Sequence, residues 1–249
     1  MHSTKQVLFF VFIMTAVVAI ALAGMFTGLK PIHEQNAAVY SKRAILTAVA
    51  DQLSKPLAQL SAEEVQAVFD NQIDQKVLDM KGNIVSEADV MASGYARGKA
   101  EDLNLKNERK KSDADRLLPF YTFTKEDGTK YYIISVRGNG LWDEIWGNVA
   151  MEADLNTIAG VAFDHAQETP GLGAEIKDNP AWSAKFTGKT LYDDSGVFRP
   201  LDVTKGAVPE DSKYQIDAIT GATITAVGVE EMMDRGIRYY EPYFNKIKS

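Results

Sequence analysis

Phe120 to Val136 reads FYTFTKEDGTKYYIISV. Two runs rich in aromatic and β-branched residues, FYTFT and KYYIISV, flank the turn signal Glu126-Asp127-Gly128, and that arrangement reads as a β-hairpin. The pattern recurs on either side of it. KVLDM and IVSE flank Lys81-Gly82-Asn83, and NVAMEA and IAGVAFDH flank Asp154 to Thr157. From Gln75 onward, strands therefore follow one another through short turns, which predicts a sheet of antiparallel strands.

Helical signals surround this sheet. HEQNAAVYSKRAILTAVADQL places Ala37, Tyr40, Ala44, Ile45, Val49 and Leu53 at helical spacing, with Pro56 as its stop. Ser61-Ala-Glu-Glu64 is a capping box that opens a short helix carrying Val65, Val68 and Phe69. A second short helix is expected near Ala181 to Phe186, and a strand at VFRPLDV. The last helix should begin near Gly221 and turn Ile224, Val227, Met232, Ile237 and Tyr240 toward the sheet. The charged stretch from Leu103 to Arg116 reads as a mobile loop or an exposed helix. The expected fold class is α+β.

Val7 to Leu29, VLFFVFIMTAVVAIALAGMFTGL, holds no charge over 23 positions. At the helical rise this run is about 34 Å long, enough to cross the hydrocarbon core of a bilayer. It exceeds the apolar core of a cleaved signal peptide and no clear small-x-small site precedes Lys30-Pro31, so a retained anchor in membrane lipid is the expectation. Lys5 precedes the span while Lys30, Lys42 and Arg43 follow it, and these charges leave the orientation open. The expected organisation is an anchor over 1–30, a juxtamembrane helical region over 31–74 and a soluble domain over 75–249.

The chain has 249 residues, 45% apolar and 24% charged, with a net charge of −7. Acidity without clustered Lys and Arg excludes a nucleic-acid partner. Cysteine is absent, which removes disulfides, thiolate metal sites and thiol nucleophiles. His2, His33 and His165 lack the paired spacing of a metal site, so no metal is expected.

Near the C-terminus, DAITGATIT offers a Thr220 hydroxyl able to cap a helix and small residues, Gly221 and Ala222, that let another group approach the backbone. Helix N-terminal amides bind phosphate, although an ordinary threonine cap satisfies the same sequence. Two other stretches, GNGLWDEIWG (Gly138 to Gly147) and HAQETPGLGAEI (His165 to Ile176), combine glycines with Leu141, Trp142, Trp146 and Leu172. These bulky residues either wall a flat ring or fill core. RGNGLW lacks the spacing of a dinucleotide fingerprint.

GLWDEIWG, HAQETPGLGAEI and DAITGATIT, in that order after one N-terminal apolar helix, resemble the FMN-binding domain of the C subunit of the Na+-translocating NADH:quinone oxidoreductase. The G subunit of the Rnf complex shares the motifs, and the ETPGLG context looks more like the sodium-pump C subunit. The resemblance implies an electron-relay subunit with FMN joined by a phosphoester bond to Thr225. It implies a flavin line of Leu141, Trp142, Glu168, Thr169, Leu172, Thr220, Gly221, Ala222 and Thr223, with no catalytic residue of its own. It implies a flavin transferase that takes FMN from FAD and reads Asp217. Thr220 stands where Ser is commoner and Ala218 where Gly is frequent. The implied partners are the other subunits of the complex, the B, D and E subunits especially, and the implied location is the bacterial inner membrane with the soluble domain outside the cytoplasm. A membrane-tethered sensor without covalent flavin is the reading from another class.

Overall fold

In a computed structural model the structure describes residues 3–209 and 211–248, so His2 lies outside the described residues. The chain forms two compact units, Met1–Ser41 and Lys42–Ser249. The first consists of most of helix α1 (Thr4–Thr47), whose most apolar stretch has a mean hydropathy of 2.8 with none of it buried. Its apolar side chains all face outward, which suits hydrocarbon and not water.

α1 runs unbroken through Pro31, so the expected juxtamembrane helix is its continuation, and it ends at Thr47, well before Pro56. Beyond that end the Arg43 guanidinium donates to the carbonyl oxygens of Leu57 and Leu60, which holds the second of the following 3-10 turns against the helix. Helix α2 (Ala62–Gln72) then opens as the sequence reads: Ser61 Oγ accepts from the Glu64 amide at 3.2 Å, and Glu64 Oε2 accepts from the Ser61 amide at 2.7 Å.

Six antiparallel strands follow: β1 (Ile73–Asp79), β2 (Ile84–Val85), β3 (Leu117–Thr124), β4 (Lys130–Asn139), β5 (Glu144–Met151) and β6 (Ile158–His165). Their spatial order is β2-β1-β3-β4-β5-β6. The three expected hairpins are present. In the one that fixes the register, Phe120 faces Ile134 and Thr124 faces Lys130, while Asp127 Oδ1 accepts from the Thr129 amide at 2.8 Å and Gly128 takes φ +85°. A further hairpin, β4–β5, closes through residues 140–143, with the Gly140 amide donating to the Asp143 carbonyl at 2.8 Å.

Between β2 and β3 lie α3 (Glu87–Ala92) and α4 (Leu105–Glu108). The charged stretch around α4 is for the most part exposed, as its composition predicts, but it is pinned at one point by a buried carboxylate. Glu108 is 1% exposed and accepts from Lys111 Nζ at 2.7 Å, from the Leu117 amide at 2.8 Å and from the Tyr95 hydroxyl. Burial, and then the Glu108 carboxylate, push the Tyr95 phenol up to about 12.

After β6 come α5 (Glu175–Asp178) and α6 (Pro180–Ser183), then a two-stranded parallel pair, β7 (Asp202–Thr204) and β8 (Gln215–Asp217). Only the end of VFRPLDV is a strand. Pro200 has no amide to donate, and Asp193 gathers the Ser195 and Val197 amides and Arg199 Nε into a turn instead.

The final helix α7 (Thr223–Lys248) lies along β4. Its buried stripe is Ala226, Val229, Met232, Met233, Ile237, Tyr240 and Phe244, at steps of three and four. Ile224 falls out of phase with that stripe and is 62% exposed, and Val227 is only half-buried, which corrects the expected packing face. Glycines set the separation. A Cβ at Gly138 would stand 2.6 Å from Met232 Cβ, and one at Gly236 would stand 2.5 Å from Val136 Cγ1. Tyr240 ties helix to sheet by donating to Pro119 O at 2.9 Å or Ser135 O at 3.0 Å.

Candidate functional site

Three connections meet at one end of the sheet: the β4–β5 loop over 140–143, the β6–α5 loop over 166–174 and the β8–α7 loop over 218–222. They meet there because Asn139 pairs with Glu144 and Ile145 with His165, which brings the end of β4, the start of β5 and the end of β6 together. α7 then delivers its N-terminus to that end, where the Cβ of a residue at Gly228 would stand 2.4 Å from Asn139 O.

Thr225 sits in the first turn of α7 and is fully buried. Its hydroxyl is 2.7 Å from Glu168 Oε2 and 3.3 Å from the Leu172 carbonyl oxygen. Since both neighbours are acceptors, the single hydroxyl proton goes to the closer, charged one, a charge-assisted bond stronger than a neutral one.

Glu168 is 5% exposed and is fixed from both sides. Its Oε1 accepts from the Trp142 amide at 3.0 Å and from the Asp143 amide at 3.5 Å, and its own amide donates to His165 Nδ1 at 3.1 Å. His165 is thus a loop residue with a backbone partner. Two glycines make room for the carboxylate: a Cβ at Gly140 would stand 2.5 Å from Glu168 Oε1, and one at Gly173 would stand 2.4 Å from both Glu168 Oε2 and Thr225 Oγ1.

The rest of the ETPGLG loop folds over this contact. Thr169 is exposed, and its carbonyl accepts from the Leu172 amide at 2.9 Å. Gly171 takes φ +81°, and Glu175 reaches back to accept from the Gly171 and Gly173 amides. Those amides, after the residue's own, hold the Glu175 carboxyl below its usual range. Leu172 is 43% exposed, Trp142 65% and Ile224 62%, so two of the loops and the first turn of α7 each present one large apolar side chain to solvent.

In TGATIT, Thr220 is exposed, Gly221 takes φ +84°, Ala222 is buried and accepts from the Ala226 amide at 3.0 Å, and Thr223 is half-buried in the first turn. Thr220 does not cap the helix, because α7 starts two residues beyond Gly221 and Ala222 holds the capping position. Asp217, at the end of β8, is paired with Lys185, which keeps its carboxyl below the usual range, and its carbonyl accepts from Trp182 Nε1 at 2.9 Å. Asp217 and Thr220 line a cleft of about 390 Å³ with Trp182 and Lys185.

The structure thus brings Thr225, Glu168, Leu172 and the Trp142 backbone into contact, and groups Asp217 with Thr220. Sequence reasoning treats Glu168 as one residue among a flavin line and gives no role to Gly140 or Gly173. Ile224 carries no signal, since its apolar character reads as core. Among the described residues no cluster of His, Asp and Glu suits a metal ion.

Residues 140–238 match the FMN-binding domain family, a span that contains all three loops. The C subunit of the Na(+)-translocating NADH-quinone reductase of Pseudomonas aeruginosa is 34% identical over 242 residues, covering 93% of this chain and 90% of that protein. That of Neisseria meningitidis serogroup B is 35% identical over 257 residues, covering 99% and 95%. The crystal structure of the Parabacteroides distasonis C subunit superposes with a TM-score of 0.70 at 28% identity, covering 86% of this chain and 96% of that one. The chain belongs to the C-subunit family of the Na(+)-translocating NADH-quinone reductase.

Members of this family are components of an oxidoreductase complex, so this chain has partner subunits, and its long apolar α1 suits a membrane-anchored component. The residues fit an FMN. Exposed Trp142, Leu172 and Ile224 suit a flat apolar ring, and the start of a helix of 26 residues suits a phosphate.

Proposed function

We propose that this chain is the electron-relay subunit of a membrane-bound, sodium-pumping NADH:quinone oxidoreductase and carries FMN through a phosphoester bond to Thr225. The observation that supports it is the Thr225 hydroxyl, placed in the first turn of α7 inside the FMN-binding domain and held by Glu168 at 2.7 Å. In this reading residues 1–30 anchor the chain, 31–74 connect, and 75–249 carry the flavin.

The first-turn amides of α7 lack intrahelical partners and carry the positive end of the helix dipole, so they hold the phosphate diester. Trp142, Leu141 and Leu172 would hold the flavin ring and exclude water from it, while Thr169, Thr220, Gly221, Ala222 and Thr223 would hold the phosphate end. Bound FMN accepts electrons and passes them on, and hydrogen bonds and charge around the ring set its potential. The electron partners are carriers in the rest of the complex, the B subunit's among them, with the D and E subunits as further neighbours.

The soluble domain lies outside the cytoplasm in this reading. Covalent attachment has a physical purpose there, since a flavin lost by dissociation is not replaced from the cytoplasmic pool. A flavin transferase loads the site from FAD and recognises Asp217, whose carboxylate stands in the cleft beside Thr220.

The test is an intact mass of the full chain expressed with and without a flavin transferase, together with Thr225→Ala and in-gel flavin fluorescence after denaturation. An FMN-sized addition seen only with the transferase, and lost in Thr225→Ala, is the expected result. An unmodified wild-type chain, where a control acceptor is labelled, refutes the covalent reading and leaves TGATIT as a helix start only.

A further inference from the structure

Glu168 carries more than a place beside a ring. Its carboxylate is nearly inaccessible to solvent and spends one oxygen, Oε2, on the Thr225 hydroxyl. The other oxygen is held by the Trp142 and Asp143 amides of the β4–β5 loop, and the Glu168 backbone is held by His165. None of these anchors belongs to the segment from Thr169 to Gly173 that covers Thr225. The position of the carboxylate beside the hydroxyl is therefore set by the β4–β5 loop and by His165. Gly140 and Gly173 strengthen the point, because each is placed where any larger residue would strike a Glu168 carboxylate oxygen.

A threonine hydroxyl is a poor nucleophile at neutral pH and needs a base within hydrogen-bond reach. Glu168 meets that geometric requirement at 2.7 Å, and it is the only carboxylate that bonds the Thr225 hydroxyl among the described residues. We infer that Glu168 is the proton acceptor that activates Thr225 for its own flavin loading, so that the modified chain supplies the general base of the transfer.

The inference rests on the Thr225 reading above. In the step, Thr225 Oγ forms a bond to the phosphorus on the FMN side of FAD, and its proton passes to Glu168 Oε2. The pyrophosphate P–O bond breaks, its electron pair leaving on AMP. Glu168 then returns the proton to solvent as AMP departs. The chain is left with a phosphodiester at Thr225, and no oxidant or reductant is consumed.

The experiment follows loading of detergent-solubilised full-length chain by a purified flavin transferase with FAD, read as intact mass against time. Thermal melting of each unloaded variant is recorded alongside. Glu168→Gln keeps an acceptor for the Thr225 hydroxyl but is not a base, and it is expected to load about 10²-fold more slowly than wild type. Glu168→Ala is expected to load as slowly and to regain rate when formate is added, because a small carboxylate can occupy the vacated space. Glu168→Gln loading within about threefold of wild type overturns the inference and assigns the base to the transferase. Slow loading of both variants with depressed melting and no response to formate also overturns it, in favour of a merely structural carboxylate. Loading that persists in Thr225→Ala overturns the Thr225 reading itself, and the role of Glu168 with it.

Discussion

Adding one methyl group at Gly173 should damage this protein out of proportion to its size. Gly173 is not among the glycines with positive φ, so its backbone accepts an alanine, and the cost is purely one of space. The new Cβ would stand 2.4 Å from Glu168 Oε2, 2.4 Å from Thr225 Oγ1 and 3.0 Å from Thr225 Cβ. Neither oxygen can swing away cheaply, because Glu168 is tied to the β4–β5 loop and Thr225 is fixed on α7. Overpacking of this kind costs about 1–3 kcal/mol, and separating a hydrogen bond to a charged group adds about 1.5–3 kcal/mol when nothing replaces it. Partial relaxation keeps the total near 2–4 kcal/mol, which lowers Tm by roughly 4–16 °C for a domain of this size.

The assay is thermal unfolding of the full chain in detergent, followed by tryptophan fluorescence, for Gly173→Ala alone and in a Thr225→Ala background. Removing the Thr225 hydroxyl relieves one of the two shortest contacts, so the penalty should fall by about half in that background. A Gly173→Ala chain that melts with wild type, or a penalty identical in both backgrounds, refutes the argument that Gly173 exists to let Glu168 reach Thr225.

Two further outcomes follow from the same structure. Tyr240→Phe leaves the carbonyl acceptors on Pro119 and Ser135 without their buried donor, and it should cost about 1–3 kcal/mol by urea unfolding; an undiminished midpoint would show that the helix-to-sheet tie is idle. Ser195 and the Val197 amide hold the Asp193 carboxyl at about 2, below its ordinary 3.8, so the order of the turn over 193–199 is fully present above about pH 4 and is lost as pH falls through 2; amide exchange in that turn that does not accelerate across this window would refute the assignment.

The hairpins β1–β2, β3–β4 and β5–β6 are legible because their strand signals alternate with turns whose chemistry is local, whereas the β4–β5 hairpin is not read from the sequence. Asp127-Gly128 needs nothing beyond its own neighbours to reverse the chain. The capping box at Ser61 and the apolar run in α1 were legible for the same reason. The phase of α7 was not, since Ile224 and Val229 are equally apolar and only contact with β4 separates them. The parallel β7–β8 pair was not legible either, because its partners lie in separate stretches and Pro200 interrupts the first. The inward turn of Glu108 is not legible, because a stretch dense in charge reads as solvated and only folding shows which one of its carboxylates is enclosed by Tyr95, Lys111 and the Leu117 amide.

At the candidate site the division is sharper. The sequence by itself determined that small residues and threonines stand at a helix start after an antiparallel sheet, and that two glycine-bearing loops precede it, because those are statements about local backbone freedom and spacing. Only the tertiary structure decided that Glu168, 57 positions before Thr225, takes that hydroxyl as its partner, since the pairing of β4 with β5 and of β5 with β6 and the seating of α7 on β4 bring the two together. A carboxylate in a sequence can face water, a cation or a hydroxyl, and burial by distant segments selects among them.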